Sequence, residues 1–254
     1  MDHFRERIVV FLDILGFGSM VQQSLKNPEM VRKIENGLSR ILKLKELNER
    51  KKIEGIEVHI FSDSIIASAP PDKETTGALL SALSRLTWDL MTMGIWIRGG
   101  ISFGNYSNNP EKPWGMAINE AYRIENEVAK YPRICLSRAA VSKLNDMGFF
   151  ETTQPISRDE DGVWSINVIN FMLGLIMFEH PDAPPEEDLN RIKIELDKAH
   201  EKLVDSPDKF QKIDWLCDVW DLNFEHPNSP FDRNFRTNSG QKKSFVDTFN
   251  EALS

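Results

Sequence analysis

Residues 8–16 read IVVFLDILG, an apolar run that Asp13 interrupts near its end. A short apolar run that stops at a glycine is typical of a buried β-strand, here predicted over residues 7–15 and ending at Gly16. A carboxylate beside a hydrophobic sheet loses hydration, and that loss is tolerable only next to a cation or good hydrogen bonds. Asp13 is therefore a candidate functional residue at the end of the first strand.

A second carboxylate interrupts a second apolar segment, because residues 60–66 read IFSDSII around Asp63. The β-rich runs 56–61 and 64–69 are separated only by Ser62 and Asp63, which predicts a hairpin with Asp63 at its tip. Two carboxylates brought together by a sheet form a hard-oxygen site of the kind that Mg²⁺ or Mn²⁺ occupies beside a triphosphate.

The remaining periodicity predicts an alternation of helices and strands. Apolar residues recur at helical spacing from about 28 to 48 and from 73 to 93, and a strand follows over 95–103. Residues 106–113 are rich in Asn and Pro and predict a loop, followed by helices over 115–129 and 137–146 and a last strand near 163–168. The order strand, helix, strand pair, helix, strand predicts an α/β layer.

Composition excludes several classes of protein. A formal net charge of -8 argues against a general binder of nucleic acid or of anionic membranes, whose affinity comes from a basic face. The start of the chain mixes both charge signs, unlike a signal peptide, and the apolar stretch 166–178 is too short to span a membrane. Cys135 and Cys217 stand apart, which indicates neither a disulfide framework nor a zinc site. We expect a cytoplasmic protein without a nucleic-acid or membrane partner.

Four ordered motifs carry a resemblance to a known family. They are residues 11–17 (FLDILGF), 61–67 (FSDSIIA), 97–104 (IRGGISFG) and 114–123 (WGMAINEAYR). In this order they resemble the catalytic domain of the class III nucleotidyl cyclases, and within that superfamily they are most similar to the bacterial Pycsar pyrimidine cyclases. The resemblance covers residues 5–170, about two thirds of the chain.

The resemblance implies an α/β (α+β) fold, with a ferredoxin-like class III cyclase core and ligands at its sheet edge. Residues 1–178 would form the cyclase domain. The composition changes near His180, and residues 189–204 and 209–222 have helical periodicity. Residues 179–254 are therefore predicted to be a helical C-terminal extension packed on the core or on a partner chain.

The resemblance also assigns metal and phosphate ligands. Asp13, Asp63 and the backbone carbonyl of Ile14 would hold two Mn²⁺ or Mg²⁺ ions, which assist attack of the ribose 3′-hydroxyl on the α-phosphorus. Gly16 and Phe17 would turn the chain so that amide N–H groups face the phosphates. Phe11, in the same motif, is expected to line the nucleotide site.

Asn119 and Arg123 are the candidate catalytic residues on the predicted helix. They lie four residues apart and so share one face. A guanidinium suits the charge that develops on the α-phosphate, and an amide can orient the ribose. In the superfamily these two residues come from the opposite subunit, so the resemblance implies a head-to-tail homodimer with two shared sites.

The departures from the family pattern concern the base and the triphosphate. His59 and Lys112 stand where purine cyclases usually place Lys or Glu and Asp or Cys, so both purine-reading pairs are missing and a pyrimidine is favoured. A sheet histidine and a loop lysine are equally compatible readings of these positions. Arg98 is a candidate for base, phosphate or dimer contacts or for structural pairing. Arg133 is a candidate for the triphosphate cation that a Lys-Gly-Lys segment supplies in many relatives.

The expected function is a uridylate cyclase that converts UTP to 3′,5′-cyclic UMP and pyrophosphate, a second messenger in antiphage defence. UTP rather than CTP is implied by resemblance alone, so a cytidylate cyclase stays open. A purine cyclase and a degenerate nucleotide-binding module are further alternatives. A palm-type polymerase or cyclic-dinucleotide synthase is disfavoured by the acidic charge and by the missing Gly-Gly-Asp-Glu-Phe hairpin.

Overall fold

The computed structural model describes residues 3–46, 55–107, 109, 111–151, 156–179, 186–225 and 235–238. The chain divides into two compact units, residues 1–184 and residues 185–254. The first unit contains the sheet and the four motifs. The described residues of the second unit are mainly helical.

The strands of the described residues form one seven-stranded sheet with the order β2-β3-β1-β4-β5-β7-β6. Its members are β1 (Phe4–Ile14), β2 (Glu57–Phe61), β3 (Ser64–Ala69), β4 (Ile97–Ser107), β5 (Ile134–Leu136), β6 (Ile156–Arg158) and β7 (Trp164–Ile166).

Helices in the described residues of the first unit are α1 (Phe17–Ser24), α2 (Pro28–Leu42), α3 (Lys73–Met91), α4 (Met116–Arg123), α5 (Arg138–Asp146) and α6 (Val168–Glu179). The second unit contains α7 (Glu186–Lys202) and α8 (Pro207–Glu225). Single turns of 3₁₀-helix lie at Lys43–Glu46 and Phe149–Glu151, and α4 continues into a π-helical turn at Ile124–Val128. None of the helices in the described ranges is long and apolar enough to cross a membrane.

Side-chain caps explain where three of these helices begin. The side chains of Asn27, Asp72 and Ser137 accept hydrogen bonds from the amides of Glu29, Thr75 and Ala140. Each bond satisfies an amide that the helix itself leaves without an acceptor. Ser137 caps α5 as the sequence predicts.

The first part of the sheet is a ferredoxin-like core, which confirms the predicted fold class. Its chain order is β1, α2, β2, β3, α3, β4, and β1 lies between β3 and β4 and is antiparallel to both. The hairpin partner β2 lies outside β3 at the sheet edge. The connection from β1 to β2 passes β3, and that from β3 to β4 passes β1, so the two βαβ-type units interlock.

The central strand β1 divides its side chains between two faces, as alternation requires. Ile8, Val10, Leu12 and Ile14 point to one side and are buried, and α3 packs on β3. The other face carries Val9 and Phe11 of β1 and is partly covered by α4. Its buried members are Val9, Tyr106, Ala117 and Ala121.

Several predicted bounds differ from the structure. β1 begins at Phe4 rather than at residue 7, and β4 continues to Ser107, into the segment predicted as a loop. The strand near 163–168 is the short β7, while β6 and α6 were not predicted as elements. The predicted helix 28–48 is described only to residue 46, and residues 47–54 lie outside the described residues.

The second unit contains both helices predicted from periodicity. Buried side chains line α7 and α8, among them Leu189, Ile192, Leu196, Ile213, Leu216, Trp220 and Phe224. The indole of Trp220 donates to the carbonyl of Phe235 at 2.8 Å, and the carboxylate of Asp221 accepts from the amide of Thr237 at 2.7 Å. These bonds tie residues 235–238 to α8. That residues 179–254 pack on the core or on a partner chain stays a prediction.

Candidate functional site

The two aspartates singled out by the sequence meet at one end of the sheet. Asp13 pairs in register with Ser64, the first residue of β3, and Asp63 directly precedes Ser64 at the hairpin tip. Burial raises the pKa of Asp13, and the neighbouring charge and hydrogen bond of Asp63 raise it further. The two carboxyl groups are therefore close enough for Asp63 to act on the charge of Asp13, and both residues are half-buried.

The hairpin turn fixes where Asp63 points. Only two residues, Ser62 and Asp63, connect the register pair Phe61 and Ser64. Ser62 has a φ of 56°, whereas in the described residues every other positive φ belongs to a glycine. A positive φ at the first loop residue alone is the pattern of a type II′ turn, which normally has glycine there.

A glycine turn follows Asp13 directly. Ile14 ends β1, and Gly16 precedes α1 with a φ of 76°. The amide of Leu15 donates to the carbonyl of Trp96 at 2.8 Å, which anchors the turn. Within the described part of the chain, a Cβ at Gly16 or Gly18 would meet no atom within 4 Å apart from its chain neighbours. The turn is thus open at both glycines, and α1 begins at the half-buried Phe17, four residues after Asp13.

Arg98 lies opposite Asp13 on β4 but pairs more closely with another carboxylate. Its Nε atom is 3.7 Å from Oδ2 of Asp13 and 2.6 Å from Oε1 of Glu125. Glu125 is 2% exposed and lies in the π-helical turn after α4. Sequence reasoning missed Glu125, because it lies in the polar stretch Glu-Asn-Glu, where nothing in the pattern indicates burial.

Glycines in β4 allow α4 to approach closely enough to deliver Glu125. A Cβ on Gly100 would lie 2.1 Å from the carbonyl oxygen of Ala121 and 2.8 Å from the amide nitrogen of Glu125. The hydroxyl of Ser102 donates to the carbonyl of Ala117 one turn earlier. The helix backbone therefore rests directly on the strand backbone.

Asn119 and Arg123 lie on α4, and both are exposed. Nε of Arg123 donates to Glu120 at 2.9 Å, and Nη1 donates to Glu127 at 3.1 Å. These hydrogen bonds raise the pKa of Arg123 above its already high usual value. The guanidinium is thus a permanent charge, held at the surface by Glu120 and Glu127.

His59 and Phe11 lie on the same sheet face as Asp13. His59 pairs with Ile66 across the hairpin, and Ile66 pairs with Phe11 on β1, two residues from Asp13. All three side chains are half-buried. The ring of Tyr122 contacts Phe11 edge-on, with centroids 5.2 Å apart.

Lys112 lies at the other end of the sheet. Its carbonyl accepts from the hydroxyl of Ser107 at 2.7 Å, and Ser107 pairs with Phe4. Phe4 and Asp13 are nine residues apart on β1, roughly 30 Å along a strand. Phe4 is also seven residues from Phe11, whose row contains His59. The structure therefore does not bring the backbones of Lys112 and His59 together within one chain.

Arg133 forms ion pairs with two carboxylates of its own chain. Its guanidinium donates to Asp159 at 2.6 Å and to both oxygens of Asp161, and the side chain is 4% exposed. The expectation that Arg133 could replace a triphosphate lysine is not supported, because its buried guanidinium already pairs with Asp159 and Asp161.

The donor set fits divalent cations of the hard type. Mg²⁺ is usually bound by one or two carboxylates plus substrate phosphates and water rather than by an all-protein cage. Among the described residues no group of three or more His, Cys, Asp or Glu side chains could hold a metal ion, so nucleotide and water would complete the shell. A cation would also relieve the repulsion between Asp13 and Asp63.

Comparisons with known proteins complete this description. No protein-family model matches the chain, and no curated protein matches it. A bacterial light-regulated adenylyl cyclase is 20% identical, covering 65% of this chain and 91% of that chain with a TM-score of 0.44. The guanylyl cyclase domain of the RhoGC fusion protein from the aquatic fungus Blastocladiella emersonii is 14% identical, covering 64% and 95%, with a TM-score of 0.44. The guanylyl cyclase Cya2 is 16% identical, covering 64% and 92%, with a TM-score of 0.39. These identities and TM-scores are too low to assign a function to this chain.

Proposed function

We propose that this chain is a nucleotidyl cyclase of the class III type, which converts UTP to 3′,5′-cyclic UMP and pyrophosphate. The observation that carries the proposal is that the interacting carboxyl groups of Asp13 and Asp63 lie together at one end of the sheet, beside the glycine turn at Gly16. Two carboxylates beside open amides can hold cations and phosphate oxygens together.

Different residues of this site would bind the metal ions and orient the phosphates during cyclisation. Asp13, Asp63 and the carbonyl of Ile14 would hold two Mn²⁺ or Mg²⁺ ions. When bound, such ions lower the pKa of the attacking 3′-hydroxyl and neutralise charge on the leaving pyrophosphate. The amides of the turn at Gly16 and Phe17 would orient the phosphates.

The catalytic side chains of α4 would act on the nucleotide of a partner chain. Arg123 would stabilise charge on the α-phosphate, and Asn119 would orient the ribose. Large apolar side chains are exposed on the hairpin and on α4: Phe61 is 84% exposed, Met116 71% and Tyr122 51%. These side chains are available to a partner chain, which is compatible with a head-to-tail homodimer with shared sites.

The proposed substrate base is a pyrimidine, with UTP preferred over CTP. The support is the absence of both purine-reading pairs from the chain, together with the place of His59 on the sheet face of Asp13. His59 is favoured over Lys112 as the base-reading residue, because Lys112 lies near the other end of β1. The resemblance of the sequence motifs to the Pycsar pyrimidine cyclases implies that the product would act as a second messenger in antiphage defence.

The test is incubation of the purified chain with each of the four nucleoside triphosphates and Mn²⁺, with products identified by mass spectrometry. We expect cyclic UMP to dominate, cyclic CMP to come second and purine products to be minor. Asp63→Ala should abolish turnover, whereas Asp146→Ala, which removes an exposed charge at the end of α5, should not. Dominant cyclic AMP or cyclic GMP would overturn the base assignment, and no cyclic product from any nucleotide by the folded chain would overturn the cyclase assignment.

A further inference from the structure

We infer that Glu125 is a positioning residue that draws the guanidinium of Arg98 toward itself, limits its pairing with Asp13 and so keeps the Asp13 carboxylate available to a cation. This inference rests on the proposed cation site at Asp13 and Asp63. It concerns a residue that contacts neither the cation nor the nucleotide in the proposed mechanism.

The sheet register by itself would pair Arg98 with Asp13. The two residues lie directly opposite each other on β4 and β1, and opposite side chains on neighbouring antiparallel strands are close enough to interact. An arginine beside a half-buried carboxylate normally closes on it to form a charge-assisted hydrogen bond. The Nε atom of Arg98 lies 3.7 Å from Asp13, a long ion pair, through which Arg98 partly offsets the rise in the pKa of Asp13.

Glu125 attracts the guanidinium of Arg98 more strongly than Asp13 does, because the Glu125 carboxylate is more deeply buried. The side chain of Glu125 is 3% exposed and that of Asp13 24%, and the Glu125 oxygen lies 2.6 Å from Nε of Arg98. A buried charge without a partner is costly, and attraction between charges increases as the local dielectric falls. The guanidinium is therefore shared between the two carboxylates, with the shorter ion pair to Glu125 and the longer one to Asp13.

The backbone around Glu125 supports this role. The π-helical turn at Ile124–Val128 aims Glu125 at β4, and Gly100 lets the turn rest on the strand. π-helical turns are rare and frequently occur at functional sites. Close backbone contact makes the position of the carboxylate rigid, so Arg98 has a fixed resting place.

The consequence is a competition for Asp13. A cation and the guanidinium of Arg98 both favour the same carboxylate oxygens, and Glu125 decides the competition by retaining Arg98. Without the Glu125 charge, the guanidinium would close the gap to Asp13, and a cation would have to displace it.

The experiment measures Mn²⁺ binding to the full chain without nucleotide, by electron paramagnetic resonance of free Mn²⁺. Glu125→Gln should weaken Mn²⁺ affinity about tenfold, because a positive charge moves onto a ligand. Glu125→Asp keeps the charge but shortens the side chain, and should also weaken affinity by at least about threefold. The double variant Arg98→Gln with Glu125→Gln removes the competitor and should restore wild-type affinity.

Glu57→Gln is the matched control, because Glu57 is a half-buried carboxylate that pairs with Arg5 and Arg7 elsewhere on the sheet. It should leave Mn²⁺ affinity unchanged. Thermal unfolding of every variant shows which of them fold, and if Glu125→Gln does not fold, Glu125→Asp decides the matter.

The outcomes separate this inference from the function on which it rests. If Asp13→Asn binds Mn²⁺ as the wild type does, the proposed cation site is wrong. If Asp13→Asn loses Mn²⁺ while Glu125→Gln and Glu125→Asp keep wild-type affinity, the cation site stands and the positioning role of Glu125 is overturned. A double variant as weak as Glu125→Gln would likewise contradict the role of Arg98 as competitor.

Discussion

At the scale of single residues, Asp13 is held in a place that disfavours its charge. Burial is the largest cause of its raised pKa, and the neighbouring Asp63 is the next. A carboxyl group whose pKa is raised by folding adds stability at low pH, and that contribution is lost as the pH rises from the unfolded pKa through the folded one. The apo site therefore weakens the fold at neutral pH, as is common where function requires like charges to meet.

Asp63→Asn should raise the thermal unfolding midpoint at pH 7, because it removes the charge that repels Asp13 and keeps the shape of the turn residue. The gain should vanish near pH 3, because Asp13, whose pKa is raised, is protonated there and carries no charge to repel. The same variant should lose cyclase activity. Asp146→Asn, at an exposed position, is the control that should show no such pH-dependent gain. An equal gain at both pH values would show that repulsion is not its cause.

Ser62 is strained by the turn that presents Asp63, since its φ of 56° lies in the left-handed region. Ser62→Gly should raise the free energy of unfolding by about 0.5–1 kcal/mol, because glycine adopts that region without a Cβ clash. Ser62→Ala keeps the Cβ and should give no gain. Denaturant unfolding of the three proteins measures the difference, and a Gly variant no more stable than the Ala variant would mean that the turn is not strained.

At the scale of elements, the close approach of α4 to β4 determines where the site residues on the helix lie. Gly100→Ala should lower the free energy of unfolding by about 3 kcal/mol, because its Cβ would collide with backbone atoms that cannot rotate away. Gly18→Ala is the matched control: it lies in α1 with no neighbour within 4 Å of its Cβ in the described structure, and should stabilise by about 0.5–1 kcal/mol.

Both glycine variants are measured by denaturant unfolding. A folded Gly100→Ala protein should also bind Mn²⁺ more weakly, because displacement of the π-helical turn carries Glu125 away from Arg98. Wild-type stability in this variant would show that α4 is free to move away from the strand.

The elements that the sequence predicts best are those whose signal is local. The apolar run of β1 and the two runs of the hairpin are contiguous, so periodicity and turn length suffice to place Asp13 and Asp63 at strand ends. The first residues of β1 are charged, and their burial depends on distant partners: Arg7 is 2% exposed, and its guanidinium donates to the hydroxyl of Ser68 at 2.9 Å. No local pattern reveals such a pair.

The elements that were missed have weak or ambiguous patterns. β6 has three residues, too few for an alternation. α6 is apolar on all sides, which gives neither helical nor strand periodicity, and its helical form depends on packing against α3. The sequence also did not predict the Arg98–Glu125 pair in the site. Both residues are charged, and the partner of each lies on another element.

At the scale of the whole molecule, the proposed site combines carboxylates at a sheet end with an exposed arginine on α4. The carboxylates lie at a sheet end, while Arg123 is held outward by Glu120 and Glu127 of its own helix region. An exposed arginine can reach a cation site across an interface between two copies of the chain. The exposure of Arg123 is therefore compatible with the proposed homodimer.

Subunit sharing predicts complementation between inactive variants. Asp63→Ala and Arg123→Ala should each be inactive alone, but their heterodimer contains one site with an intact Asp63 from one chain and an intact Arg123 from the other. Random exchange in an equal mixture gives about half heterodimers with one working site of two, so about a quarter of wild-type activity should return. Asp13→Ala mixed with Asp63→Ala is the matched control, because both changes damage the carboxylate half of a site and every heterodimer stays inactive. Product formation after mixing is measured beside native mass spectrometry, which shows whether the chains exchange. Exchange without recovered activity in the first mixture, or recovery in the second, would mean that each site is built differently from the shared arrangement proposed here.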